Sequence, residues 1–448
     1  MEQSTIRVAE LFAGVGGFRL GLEGYHNPEH PEFDMPAAGP FRTVWADNWE
    51  PDGRASKQFA WRCYEHRFGV GSCVNEDIAV VVDQIRNGER ELPEFDMLVG
   101  GFPCQDYSVA KPASMASGID GKKGVLWWSI NSILEMRHPK RVLLENVDRL
   151  LKSPTAQRGR DFAIILSCLY RLGYSVEWRV INAADYGMPQ RRRRVYIYAE
   201  HAADGWNPRE RLERSGIMAE AFPCTPLGEG LRVRVGSDPY EATQHFGVGD
   251  KTGVWANAGV MQYGVAYTVR TKAVYAGPET TLGGMLVSAD QVPDRYWIDD
   301  AKLPAWQYLK GAKKERRIAA NGFEYTYSEG PVAFPDPLDR PSRTILTGEG
   351  GARRIPHEAC GPTGWTVPEA RARRAGPIAD VSERLDGGRH DGRASRILHG
   401  QRAGHRHSSP YRTGHRKPVR NEVATCDAMA SASGVIRWCL KEFSFGYT

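Results

Sequence analysis

The chain has 448 residues, 41% of them hydrophobic, with 59 Lys and Arg against 54 Asp and Glu. That length can bury a large core and divide into two or three domains. No apolar run reaches the roughly 18 residues of a membrane span, and Met1-Glu2-Gln3-Ser4 does not read as the start of a signal peptide. Eight Cys without short metal spacings argue against both a disulfide framework and a zinc site. The expectation is a globular protein of the reducing cytoplasm, with no membrane partner and no metal.

The first strand-like run, over 7–12, leads into Gly14-Val15-Gly16-Gly17 and a helix-like stretch carrying Leu20 and Leu22. Glycines at such a turn let a ligand approach the backbone with a helix N-terminus facing it. Taken alone the turn is weak, because its spacing is not the dinucleotide G-x-G-x-x-G. A second run, over 43–47, precedes Asn48 and Trp49, and Asp77 in Glu76-Asp77-Ile78 reads on its own as a helix cap. A third, over 95–100, opens through Gly101 into Phe102-Pro103-Cys104-Gln105. A Cys held there by the fixed φ of Pro103 can present its sulfur to a cleft; a small core Cys has the same neighbours.

Further along, a helix-like stretch over 126–136 precedes a strand over 141–146 that ends in Glu145-Asn146. Another helix-like stretch follows over 161–172, and Gln190-Arg191-Arg192-Arg193-Arg194 leads into a strand over 194–199. Four arginines in a row are as readily a solvated face as a site. The alternation predicts a mainly parallel sheet flanked by helices. From about 201 to 335 it is lost as Gly, Pro and aromatics rise.

In this order and spacing the motifs resemble the DNA cytosine-5 methyltransferase family, over roughly residues 5–200 and again at Arg340–Thr347. The resemblance implies an α/β fold, with a Rossmann-like S-adenosylmethionine-dependent methyltransferase domain at 1–200. A smaller, irregular target-recognition domain at 201–335, a return segment at 336–351 and an atypical tail at 352–448 complete it. S-adenosylmethionine is then the methyl donor, and a cytosine flipped out of double-stranded DNA the acceptor. Phe102 stands where RNA-modifying relatives carry a second Pro, which favours DNA.

By the same resemblance Cys104 is the nucleophile and Glu145 stabilises protonated N3. Arg192, with Arg194, neutralises charge near O2. Phe12, Gly14, Gly16 and Gly17 shape the methionine pocket and Phe18 stacks on adenine. Asn48 stands where the family places an acid on the ribose, beside Trp49, while Asp77 and Ile78 meet the adenine. Pro103, Gln105, Ser108, Asn146 and Gln190 fall on the substrate side. The segment from Gln105 to Gly124 resembles a mobile loop that closes over the base, with a plain surface loop as the alternative. Arg232, Arg234, Arg270 and Lys272 are candidate DNA contacts. A cognate restriction endonuclease encoded nearby and a monomeric state are also expected.

The tail departs from the family. Residues 351–420 hold fourteen Arg and eight Ile, Leu or Val, with no Phe, too little apolar surface to fold securely. Residues 351–448 carry 17 Lys and Arg against 9 Asp and Glu, leaving 42 against 45 for the rest. The basic balance therefore comes from the tail alone. It is either a basic DNA-binding tail or the product of a reading-frame shift near residue 351, which is the expectation preferred here. Family members end with a Gly-Asn-Ala or Gly-Asn-Ser element followed by Val, absent in this frame. The stretch His399–His407 can be encoded as CAT GGG CAA CGC GCT GGT CAC CGG CAT. Read one nucleotide later, it gives Met-Gly-Asn-Ala-Leu-Val-Thr-Gly. A chain lacking that segment is either still an active methyltransferase or a catalytically impaired DNA-binding relic.

Overall fold

The computed structural model describes residues 5–26, 34–51, 58–103, 125–201, 205–250, 252–286, 303–318 and 324–344. These fall into two compact units. One holds the described residues up to Gly187 together with Arg192–Pro278, and the other Met188–Arg191 with those from Glu279 onward. No described helix is long and apolar enough to cross a membrane.

The first unit is built on one mixed sheet. In chain order it contains β1 (Ile6–Leu11), α1 (Gly17–Glu23), β2 (Phe41–Asp47), α2 (Phe59–Phe68), α3 (Ile78–Arg86) and β3 (Met97–Gly100). Next come α4 (Val125–Arg137), β4 (Arg141–Val147), α5 (Arg160–Arg171), β5 (Ser175–Asn182) and β6 (Arg193–Glu200). After these follow β7 (Cys224–Pro226), β8 (Leu231–Arg234), β9 (Ala258–Gln262), β10 (Val265–Val269) and β11 (Thr271–Ala273). Nine strands form the sheet in the order β2-β1-β3-β4-β6-β5-β9-β10-β8, and β7 pairs separately with β11.

The central strands form because their apolar runs are covered on both faces. Ala9, Leu11, Leu98, Val142, Leu144, Val195 and Ile197 share one main core with residues of α3, α4 and α5. These are alternate strand positions, so one face of the sheet points at those helices. From β1 the chain passes out to β2 and then returns to the other side of β1 as β3. That reversal leaves a crevice at the carboxyl ends of β1 and β3, the place where open α/β sheets bind ligands.

Within the first 200 residues three of the five strand pairings are parallel, as expected, but a strand and a boundary fall elsewhere than expected. The sheet is parallel only across β2, β1, β3 and β4; from β4 through β6, β5, β9, β10 and β8 every pairing is antiparallel. Strand β5 went unexpected because Glu177 and Arg179 interrupt it, yet both are buried, at 1% and 2% exposure. Glu177 lies 2.7 Å from Arg211 and accepts the N–H of Met218. Arg179 donates to the carbonyls of Met218, Phe222 and Leu212. Through β9, β10 and β8 the sheet continues past residue 200, so the boundary expected there falls inside this unit.

In the second unit, β12 (Lys313–Ile318) pairs antiparallel with β13 (Glu324–Glu329). Gln190 bridges Ser342, the Ser342 N–H donates to Pro189 at 2.7 Å and the Arg191 N–H to Ser342 at 2.7 Å. The Thr344 hydroxyl donates to the carbonyl of Arg191. The return segment thus pairs with the start of the arginine run.

Candidate active site

Four loops meet the carboxyl edge of the parallel strands. After β1 the chain turns sharply: Phe12, Gly14 and Gly16 have φ of 52°, 56° and 86°. Such values cost a side-chain-bearing residue about 1 kcal/mol or more, so Phe12 is a strained position and the glycines are not. A Cβ on Gly16 would strike the Phe68 ring, whereas one on Gly14 or Gly17 would enter open space. The turn is thus packed from below and open above.

Glu10 supports it from within β1. This side chain is fully buried; Oε1 accepts the N–H of Phe18 at 3.2 Å and of Arg19 at 3.4 Å, and Oε2 accepts the Tyr64 hydroxyl at 2.9 Å. Burial pushes its pKa up to about 7 against those hydrogen bonds and the nearby Arg19 charge. The sequence reading missed Glu10; a lone carboxylate inside Val8-Ala9-Glu10-Leu11 was the available signal.

Beyond β2, the Gly14 N–H donates to Asn48 Oδ1 at 2.9 Å, and the Ala13 N–H to the Asp47 carbonyl at 3.0 Å. Asp47 Oδ2 and Asn48 Nδ2 are buried without a hydrogen-bond partner among the described residues. Burial, reinforced by the negative Asp77 and Glu76, holds the Asp47 carboxyl well above the usual range. Asp77 itself caps α3, accepting the Ala79 N–H at 3.0 Å. Ile78 is buried in the main core, and Phe18 is buried on α1.

Beyond β3, Phe102 is buried with its ring centroid 6.0 Å from that of Trp127. Its carbonyl accepts Asn146 Nδ2 at 2.9 Å, tying the segment before Cys104 to the end of β4. Exposed Pro103 is the last residue described there; Cys104, Gln105 and Ser108 lie outside the described residues. Glu145 Oε1 sits 2.8 Å from Arg194 Nε, both side chains largely buried. A Cβ on Gly101 would lie 3.5 Å from Glu145 Oε2, so this carboxylate borders the loop that leads to Cys104. Burial raises the Glu145 pKa, opposed by Arg194 and then Arg192.

The arginine run divides by strand alternation. Arg192 and Arg194 are half-buried on the Glu145 side, while Arg191 and Arg193 are exposed. Arg193 pairs with Asp148 at 3.1 Å on the surface. The structure therefore assembles Glu145, Asn146, Arg192, Arg194 and Pro103 at one edge, and Phe12, Gly14, Gly17 and Asn48 at the neighbouring one. Gln190 belongs to the other compact unit. Arg232, Arg234, Arg270 and Lys272 are all exposed.

An open α/β sheet with a glycine turn after its first strand and a carboxylate–arginine pair at the same edge defines a Rossmann-like enzyme domain. A family model of C-5 cytosine-specific DNA methylases matches residues 6–228. The type II methyltransferase M.Sau3AI of Staphylococcus aureus is 43% identical over 366 residues, covering 79% of this chain and 82% of that one. M.NgoBI of Neisseria gonorrhoeae is 34% identical over 194 residues, 43% of this chain and 49% of its own length. The crystal structure of S. pombe Dnmt2 aligns with 45% of this chain and 53% of that one at 18% identity and a TM-score of 0.33. The chain belongs to the C-5 cytosine-specific DNA methylase family and is a DNA (cytosine-5-)-methyltransferase of the restriction–modification type.

Glu10 makes stability depend on pH. Its folded pKa of about 7 lies above the ordinary 4.5, so its contribution is full below about 4.5 and is lost as pH rises through 7. By linkage the loss is about 3 kcal/mol across that window. Thermal melts from pH 5 to 8 are expected to fall less steeply for Glu10→Gln than for the natural chain. Parallel slopes would remove Glu10 as the cause.

Proposed function

We propose that this chain transfers a methyl group from S-adenosylmethionine to C5 of a cytosine flipped out of duplex DNA, through a covalent bond between Cys104 and C6. The observation that carries this reading is the Glu145–Arg194 pair, 2.8 Å apart, with Glu145 on the strand whose Asn146 holds the Phe102 carbonyl two residues before Cys104. C5 of cytosine is a weak nucleophile, so the Cys104 thiolate first adds to C6 and drives electron density toward N3 and O2. Glu145, its pKa raised by burial, holds a proton at N3, and Arg192 and Arg194 balance the charge near O2. C5 takes the methyl group and the donor leaves as its neutral thioether; water takes the C5 proton, and the returned electron pair expels the thiolate.

The glycine edge fits the donor. Open space above Gly14 and Gly17, with an orphaned amide on Asn48 and an orphaned oxygen on Asp47, is a polar cradle lacking a ligand's complementary groups. Phe12, Phe18, Asn48 and Trp49 would hold S-adenosylmethionine there, with Asp77 and Ile78 toward the adenine. When bound, that molecule supplies an electrophilic methyl group. We assign base flipping and water exclusion to closure of the segment with Gln105 and Ser108. Target recognition is assigned to 201–335, including the exposed Arg232, Arg234, Arg270 and Lys272. A monomer working in the cytoplasm beside a cognate restriction endonuclease completes the reading.

A second proposal concerns this literal chain. The M.Sau3AI match leaves 21% of this chain unmatched, about 94 residues, close in number to the 98 of the atypical stretch 351–448. This favours a frame shift there and a chain deprived of its closing Gly-Asn-Ala segment.

Duplex DNA carrying 5-fluorocytosine should trap a covalent adduct with the natural residue at 104, because fluorine cannot leave as a proton. Cys104→Ala should give no adduct and no turnover, and methylation at the normal rate by that variant would remove Cys104 from the mechanism. Glu145→Gln should lower kcat by about 10²-fold or more with cofactor binding little changed.

Resequencing the gene tests the frame directly. Restoring the frame near codon 351 should tighten S-adenosylmethionine binding in calorimetry. Equal affinity of the two chains would show that the tail as written costs the site nothing.

A further inference from the structure

The loop after β2 is held by two side-chain amides that no step of the reaction uses. Gln58 is 2% exposed. Its Oε1 accepts the Glu50 N–H at 2.9 Å while its Nε2 donates to the Glu50 carbonyl at 2.7 Å. The amide thus pairs with both backbone groups of one residue, as a neighbouring strand would. Asn75 donates through one nitrogen to two acceptors, the Asn48 carbonyl at 2.7 Å and Gln58 Oε1 at 2.8 Å. Trp49 stands between the two gripped residues.

The network reaches further at both ends. Asn48 accepts the Gly14 N–H on its side chain and donates its own N–H to Val74 at 3.0 Å. Glu50 closes the start of α2 by accepting the Phe59 N–H at 3.0 Å. Three loops are therefore joined: the glycine turn after β1, the Asn48–Glu50 segment after β2, and the Asn75–Asp77 segment before α3. All three carry residues of the proposed cofactor site. Neither amide lies within 4 Å of a Cβ placed on Gly14.

We infer that Gln58 and Asn75 are positioning residues, an amide clamp that fixes Asn48 and Trp49 against the glycine turn so that the cofactor meets a preformed wall. The inference rests on S-adenosylmethionine occupying this edge. A clamp of this kind lowers the ordering cost of binding and leaves the chemical step alone. It thus predicts a change in cofactor affinity without a matching change in kcat at saturation.

Isosteric variants isolate the donors. Asn75→Asp removes both N–H groups and turns three oxygens toward one another, and Gln58→Glu does the same opposite the Glu50 carbonyl. Calorimetry with S-adenosylmethionine and with S-adenosylhomocysteine on the full chain should show Kd raised about tenfold in each variant, the loss of one net hydrogen bond. The double variant should lose less than the product of the two, since they share a bond. At saturating cofactor kcat should stay within about threefold. Variants that bind as tightly as the natural chain, or that lose kcat in proportion, overturn the clamp and leave the cofactor reading intact. A chain that gives no binding heat either as written or with its frame restored overturns that reading and the clamp with it. Unfolding of both variants by circular dichroism would also overturn it, because the amides would then be ordinary supports of the core.

Discussion

Glu145 meets its arginines because β6 runs antiparallel to β4. The register sets Val147 opposite Arg194 and Glu145 opposite Tyr196, which carries the arginine run to the carboxyl end of β4. A parallel β6 would place the same arginines at the far edge of the sheet, some 20 Å away for a strand of this length. The buried carboxylate depends on that reversal. Carboxylates taken out of water lose several kcal/mol unless charge and hydrogen bonds are returned to them. Here the guanidinium at 2.8 Å returns both, and burial still leaves the group readier to hold a proton than an exposed glutamate. Its acid–base character is therefore a product of topology as much as of residue type.

Topology also explains what was legible in the residues. Runs such as Met97–Gly100 and Val142–Leu144 are apolar because parallel strands are covered on both faces, and they read as strands at once. Strand β5 did not, since Glu177 and Arg179 make it look half solvated; only partners brought from residues 211–222 satisfy them. The antiparallel half of the sheet was illegible for a related reason. Strand direction is set by which neighbour a strand finds, and β6 slips between β4 and β5, a choice that no local pattern records.

The polar residues divide in the same way. Glu145 and the arginines announce themselves by sitting at the ends of strong strand patterns. Asp77 was read both as a cap and as a cofactor contact, and the cap is what its side chain makes with α3. Glu10, Gln58 and Asn75 act by gripping backbone from a distance of eight or more residues. Such roles leave no periodicity and no charge cluster behind. The four outward and inward arginines show the limit of composition: one run, two faces, and separate partners for Arg193 and Arg194.

The two halves of the proposed site lie close because of strand order. Loops after β1 and β2 carry the glycine turn and Asn48, while those after β3 and β4 carry Pro103 and Glu145, and β1 pairs directly with β3. Adjacent strands are about 4.8 Å apart, so the ends of β1 and β4 are separated by about 10 Å. The proposed donor, lying across β1 and β2, would then present its reactive end over β3, where the loop to Cys104 begins. Gly100 is what permits the close approach: a Cβ there would stand 3.0 Å from the Leu11 carbonyl, at the contact limit. A side chain there would require the Leu11 backbone to give by a few tenths of an ångström, between the two strands whose loops border the proposed site. The glycines of this chain therefore serve the site in two ways, opening space for a ligand at Gly14 and Gly17 and closing the distance between strands at Gly100.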